Sequence, residues 1–164
     1  MSVNPDQVSL RRLGNRDLEL VLAWRNDHEV MRYLPTAQPP LRWEDHFEWF
    51  QRYQHLKAHL HWIVVYADGA TRPRSVGVVH YNLVTWEIGL LIGEKTLWGQ
   101  GVGRISLEKA LRDLVDPWDQ LDRPWAVVHP ENLASRRLFE GLNFVEVGLG
   151  RDGQIKYKWQ GWKQ

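Results

Sequence analysis

The sequence predicts an α/β (α+β) fold, and three observations predict it. Seven stretches have the length and the β-branched or aromatic make-up of strands. Four others repeat apolar residues at helical spacing. A loop with glycines at alternate positions, LWGQGVGR from Leu97 to Arg104, joins one strand pattern to one helix pattern. No internal repeat, linker or low-complexity segment divides the 164 residues, so one domain over residues 1–164 is expected.

Taken in order, Val8 to Leu13 reads as a first strand, and Asn15 is placed to cap the helix after it. Leu18, Val21 and Leu22 recur at helical spacing, and the same stripe next reaches Arg25. That cation is either a snorkelling or ion-paired arginine at the helix end, or a ligand contact. Pro35, Pro39 and Pro40 mark a loop, after which Trp43, Phe47 and Phe50 give the next helix its stripe. His46 lies among acids in EDHFEW, where a solvated or locally paired histidine and a substrate contact are both open readings.

Leu60 to Tyr66 and Val76 to Leu83 read as strands, the second with Val76, Val78 and His80 on one face and Val79, Tyr81 and Leu83 on the other. Trp86, Ile88, Leu90 and Ile92 form one face of a further strand, whose other face carries Glu87, Gly89 and Leu91. A carboxylate beside a strand glycine suits a base next to a point where something approaches the sheet, or an edge-strand Glu facing water. The glycine-loop helix buries Leu107, Ala110, Leu111 and Leu114 and stops at Pro117. Trp125 to Val128 is a short strand. Asn132 caps a helix with Ala134, Leu138 and Leu142 inward, and Asn143 occupies its exit. Phe144 to Gly148 and Gln154 to Trp159 close the fold around a Gly-Arg-Asp-Gly turn.

Composition excludes several classes of function. Lys and Arg number 21 against 20 Asp and Glu, so no broad basic field invites nucleic acid. Cysteine is absent, which removes disulfides, thiolate metal sites and a Cys nucleophile. His55, His59 and His61 straddle a helix-to-strand change without a carboxylate at fixed spacing, so no metal is expected. The start, MSVNPDQVSL, has no basic-then-apolar segment, and no apolar run approaches the roughly 20 residues of a membrane span. A cytoplasmic protein without a membrane partner is expected. The ten tryptophans suit core packing, with a cleft for a flat or acyl ligand as the other reading.

The glycine loop carries the first chemical clue. Gly99, Gly101 and Gly103 permit positive φ and close approach of a ligand to the main chain. When such a loop opens a helix, its free N–H groups attract phosphate. A Walker loop needs Lys then Ser or Thr after the last glycine, where Arg104 and Ile105 stand. The dinucleotide fingerprint needs a glycine where Arg104 is.

The order strand, glycine loop, helix, strand, Asn-led helix, strand resembles the GCN5-related N-acetyltransferase (GNAT) superfamily. The likeness rests on EIGLLIGEKTLWGQGVGR (Glu87 to Arg104) and HPENLASRRLFEGLNFVEVG (His129 to Gly148). It implies a central mixed, mostly antiparallel twisted sheet of six to seven strands flanked by about four helices. It also implies acetyl-CoA as co-substrate. The pyrophosphate would lie on Gln100, Gly101, Val102, Gly103 and Arg104, and the pantetheine arm along Leu91, Ile92 and Gly93, with Asn132 and Phe139 on the following helix. Trp98 stands where the family often has Arg or Gln.

The implied chemistry is direct attack of an amine on the thioester, with a backbone N–H near Leu91 or Ile92 supporting the carbonyl oxygen. Glu87 matches a position that supplies the base in some members, with His80 as the other candidate. Many relatives carry a Tyr that protonates the departing thiolate, and here that position is Phe139. Ser135, Tyr81 or His80 could assist instead. On the acceptor side, WRN (Trp24 to Asn26) and EDHFEWF (Glu44 to Phe50) resemble acetyltransferases of nucleotide-linked amino sugars and also those of ribosomal-protein N-termini. Arg25, Asn26, His46 and Tyr81 are the acceptor-side candidates. The missing Tyr also admits a catalytically silent acyl-CoA-binding module. A small-molecule amine or peptide N-terminus is the expected partner, for a monomer or homodimer.

Overall fold

The computed structural model describes residues 2–34, 40–115 and 124–162. The loop prolines Pro35 and Pro39 and the helix stop at Pro117 lie outside the described residues. Among the described residues there are seven strands and four α-helices, as the sequence pattern implies. In chain order they are β1 (Val8–Arg12), α1 (Leu18–Arg25), α2 (Trp43–Leu56), β2 (His59–Tyr66), β3 (Arg74–Asn82), β4 (Ile88–Ile92), α3 (Val102–Val115), β5 (Trp125–Val128), α4 (Leu133–Gly141), β6 (Phe144–Leu149) and β7 (Ile155–Trp159).

The strands form two antiparallel sheets, β1-β2-β3-β4 and β5-β7-β6. They meet at one parallel bridge, Glu87 with Trp125, which supplies the mixed character of the array. On one face of the first sheet, α3 packs through Leu107, Ala110 and Leu111 onto Val79, Tyr81 and Ile88. On the other face, α1 and α2 bring Leu18, Val21, Trp24 and Phe50 onto Ile63 and Val78. Among the described residues no helix is long and apolar enough to cross a membrane.

Local differences from the sequence reading have physical causes. Asn15 makes no cap, because the short turn before α1 closes on Asp17, whose carboxylate accepts from the Gly14 N–H and a two-pronged Arg11. The stripe on α2 is shifted: His46 and Phe50 are buried, whereas Trp43 and Phe47 are exposed. On α4, Phe139 and Leu142 are buried and Ala134 is exposed. β4 begins at Ile88 rather than Trp86, because Asn82 Oδ1 gathers the N–H groups of Val84 and Thr85 into a turn that leaves Trp86 at φ 62°. The exit of α4 is as expected, with Asn143 left-handed at φ 67°. Near the C-terminus, Trp159 is core and only Trp162 is partly exposed, edge-on to Trp159 and beneath Arg112.

Candidate active site

The two sheets part beyond the Glu87–Trp125 bridge, where the Trp125 N–H donates to the Trp86 carbonyl at 3.1 Å. The outer edges of β4 and β5 then face each other, and a cavity of 420 Å³ opens beside them. Such facing edges can pair with an extended ligand as an added strand would. Its wall combines Glu87 to Leu91, His80 from β3, His59 and His61 from β2, Arg25 from α1, Trp49 from α2, Ser135 and Phe139 from α4, and Arg151 and Gln154 from the turn before β7. Tyr33 completes it against His129, ring centroids 5.3 Å apart. Outside the wall, Lys95 pairs with Asp27 and Glu29 on the segment between α1 and Tyr33.

Glu87, His80, Ser135, Leu91, Asn132, Phe139 and Arg25 are therefore brought to one cavity. The Glu87 carboxylate is held by Arg151 at 2.5 Å across the seam between the sheets. His80 lies opposite Gly89 in the β3–β4 register. What approaches the strand glycine is the His80 ring itself, since an added Cβ on Gly89 would stand 2.1 Å from His80 Cε1. Burial, with His59 and Arg151 nearby, pushes the His80 imidazole down to about 4. It is neutral at physiological pH, with a free lone pair that the same burial makes weakly basic. His61 stacks on His80 at 6.0 Å and is pushed down to about 3, again chiefly by burial.

Arg25 sits at the end of α1 with its guanidinium 5.6 Å from the centre of the Trp49 ring. Burial pulls its pKa below the usual guanidinium range, and among the described residues no carboxylate pairs with it. An arginine so placed is a ready partner for an anionic group.

The glycine loop lies beyond the cavity wall. Gly99 and Gly101 have φ 73° and 91°, a backbone open to glycine without strain, and the chain turns directly into α3 at Val102. The first N–H groups of a helix are free of intrahelical partners and suit a phosphate. Gln100 bonds the Thr96 carbonyl through Nε2, and its own carbonyl accepts from the Val3 N–H. The Trp98 indole donates to the Ile92 carbonyl at 2.8 Å, so this departure from the family pattern ties the loop to β4. Arg104 is exposed on the first turn of α3. Gly103 serves packing, since an added Cβ would stand 2.9 Å from Leu90 and 3.0 Å from Leu138.

Several expected site residues have packing or hydrogen-bonding partners outside the cavity wall. Gly93 makes room for Trp24, whose ring would lie 2.2 Å from an added Cβ. His46 is buried and is not among the residues of the cavity wall; its Nε2 lies on the Leu18 carbonyl at 3.0 Å and so joins α2 to α1. Asn26 binds Leu41 through both amide atoms, fixing the chain that enters α2. Tyr81 faces the α3 side, in the core, and burial raises its phenol. Of the WRN triplet, only Arg25 reaches the cavity. Trp49, His61, Arg151 and Gln154 join the wall without being marked as site residues by the sequence pattern. The His-x-His alternation of His59 and His61, set opposite His80, is the available signal for His61.

A family model for the acetyltransferase (GNAT) domain matches residues 7–145. The chain is 30% identical over 154 residues to an uncharacterized protein of Methanocaldococcus jannaschii, a match covering 93% of this chain but only 31% of that protein's length. It is 30% identical over 147 residues to YwnH of Bacillus subtilis, named as a candidate phosphinothricin acetyltransferase, with 87% of this chain and 86% of the relative covered. Among solved structures, a domain from Methanocaldococcus jannaschii superposes with a TM-score of 0.82 at 32% identity, over 92% of this chain and 96% of the other. Spermidine N-acetyltransferase from Vibrio cholerae, in complex with CoA and spermine, shares the fold with a TM-score of 0.78 at 22% identity, over 93% and 94% of the two chains. The chain therefore belongs to the GNAT family of acetyltransferases.

Proposed function

We propose that this acetyltransferase moves the acetyl group of acetyl-CoA onto a primary amine by direct attack in a ternary complex, and that the acceptor is a nucleotide-linked amino sugar. The observation that carries the acceptor reading is Arg25, half-buried over Trp49, without a carboxylate partner among the described residues, in the wall of the cavity that also holds Glu87 and His80. A phosphate of the acceptor would complete it. The same wall argues against a polyamine acceptor. Its one carboxylate among the described residues, Glu87, is already paired with Arg151, so a polycation would face two arginines.

In the reaction the acceptor ammonium first gives a proton to a base in the wall, Glu87 or the neutral His80. The amine lone pair then attacks the thioester carbonyl, and the C–S bond breaks. With Phe139 at the helix position that could have offered a Tyr, the thiolate takes its proton from solvent or from the product ammonium. A thiol pKa of about 8.5 makes the thiolate a tolerable leaving group. CoA would bind with its pyrophosphate on residues 100–104 and its pantetheine arm along the open edge of β4. Single-domain organisation over residues 1–164 is part of this reading.

Free thiol release from acetyl-CoA tests it, with uridine diphosphate glucosamine, glucosamine, spermidine and a peptide amine as acceptors. Release fastest with the nucleotide-linked sugar is expected. A peptide preference would transfer the reading to protein N-termini, and no release above hydrolysis with any amine would leave a silent acyl-CoA-binding module.

A further inference from the structure

The cavity wall contains two buried polar atoms without a hydrogen-bond partner among the described residues, Oε1 of Gln154 and Nδ1 of His61. Gln154 is 3% exposed. Its backbone is fully engaged: the N–H donates to the Arg151 carbonyl at 3.0 Å, and the carbonyl accepts from the Gly150 N–H at 2.7 Å. The turn thus fixes where Gln154 stands, while its side-chain oxygen is left unsatisfied.

An unpaired buried acceptor is destabilising, and a methionine of similar size would fill the same space without that cost. His46 Nδ1 is also unpartnered but is not among the residues of the cavity wall, so Gln154 and His61 are set apart by their place in it. The terminal amide torsion of glutamine is soft, so the amide is free to turn to meet a ligand in the cavity that Gln154 lines.

We infer that Gln154 and His61 are the hydrogen-bonding groups that read the acceptor, and that they select a polyhydroxylated amine of the sugar type. This rests on the acetyl-transfer reading above and narrows it. A glutamine amide and a neutral imidazole each offer one face that donates and one that accepts. A sugar hydroxyl, which also donates and accepts, satisfies both. A polyamine offers donors separated by methylenes and leaves the donor halves of Gln154 and His61 unanswered. The charges agree, because Arg25, stacked on Trp49, has no carboxylate partner among the described residues, while Glu87 is paired with Arg151.

The variants are Gln154→Met, which is close in size, and His61→Phe, which keeps a flat ring at slightly larger volume; both remove the polar atoms. In steady-state kinetics with acetyl-CoA and uridine diphosphate glucosamine, each should raise the acceptor KM about tenfold or more and leave the acetyl-CoA KM within about twofold. Gln154→Met should melt at the same temperature as the parent protein or higher, since it removes an unsatisfied group. Equal effects on both substrates would overturn the inference, as would a lowered melting temperature with unchanged kinetics. If the parent protein releases no thiol with any amine, the acetyl-transfer reading fails separately. Titration calorimetry of uridine diphosphate glucosamine into the CoA-loaded protein then decides the inference. Binding weakened about tenfold by either variant supports it. Equal binding by parent and variants, or none to the parent, overturns it.

Discussion

The imidazole of His80 lies directly over Gly89, its register partner on β4, so close that an added Cβ would stand 2.1 Å from Cε1. Glycine at this position is what lets the ring lie against the sheet on the cavity side. Gly89→Ala should therefore displace His80 or push β4 outward, at a cost of about 1–3 kcal/mol in stability. Urea unfolding reads that cost. Unchanged stability would show that the ring moves aside freely, and turnover of the same variant would then report how much the placement of His80 matters.

Glu87 and Arg151 join the two sheets at 2.5 Å, directly beside the strand edges that diverge around the cavity. If Glu87 takes the proton from the amine, Glu87→Gln should lower turnover at saturating acetyl-CoA by about a hundredfold or more. A loss of less than about threefold across pH would assign the step to His80. Arg151→Gln leaves the carboxylate in place but unheld, so a smaller loss is expected. Arg151→Lys should recover part of it if position and charge are what matter.

Stability should fall in acid because of the two cavity imidazoles. Burial holds His61 down to about 3 and His80 down to about 4. An unfolded histidine takes up its proton below about 6.5. Between that value and the folded values, the unfolded chain binds protons that the folded chain refuses, so stability falls as pH falls through this window and is complete above it. Each imidazole contributes a slope of at most about 1.4 kcal/mol per pH unit. Urea unfolding across this window should show the decline, and His61→Phe should flatten it. A variant curve parallel to the parent's would place the acid sensitivity elsewhere, for example at Asp17, whose carboxyl Arg11 and the Gly14 N–H hold below its ordinary range against the opposing effect of burial.

Much of this fold was legible because its elements carry local signals. A β-branched, aromatic run marks β2, alternating faces mark β3, Leu107, Ala110 and Leu111 mark α3, and Asn143 takes the left-handed exit of α4. The site was legible where a residue broke its local pattern, as Arg25 does on the apolar stripe of α1. It was hidden where tertiary packing chose between equivalent patterns. In α2, aromatic residues occupy two adjacent helical stripes, and the choice fell to His46 because the Leu18 carbonyl accepts its ring N–H. Only the family resemblance marks Gly93 as a pantetheine contact, and its packing against Trp24 was hidden because Trp24 lies on a helix remote in sequence. Gln154 had no local signal, since nothing in a turn before a strand marks a polar side chain for burial.

Arg25 gives the sharpest separation of the two substrates. Its guanidinium packs on Trp49 inside the cavity wall, whereas the glycine loop expected to hold CoA lies outside that wall. Arg25→Ala should therefore raise the KM of an anionic acceptor by tenfold or more, given the roughly 1.5–3 kcal/mol of a charge-assisted hydrogen bond. The KM of acetyl-CoA should move far less. Arg25→Lys keeps the charge but loses the planar fork and the stack on the indole, so it should recover only part of the affinity. Equal effects on both substrates would mean that the change disturbs the fold around Trp49, and Arg25 would then be a packing residue. An acceptor without phosphate or carboxylate should be nearly indifferent to Arg25→Ala. Comparing glucosamine with uridine diphosphate glucosamine in the same assay therefore separates a contact to the anion from a general loss of shape.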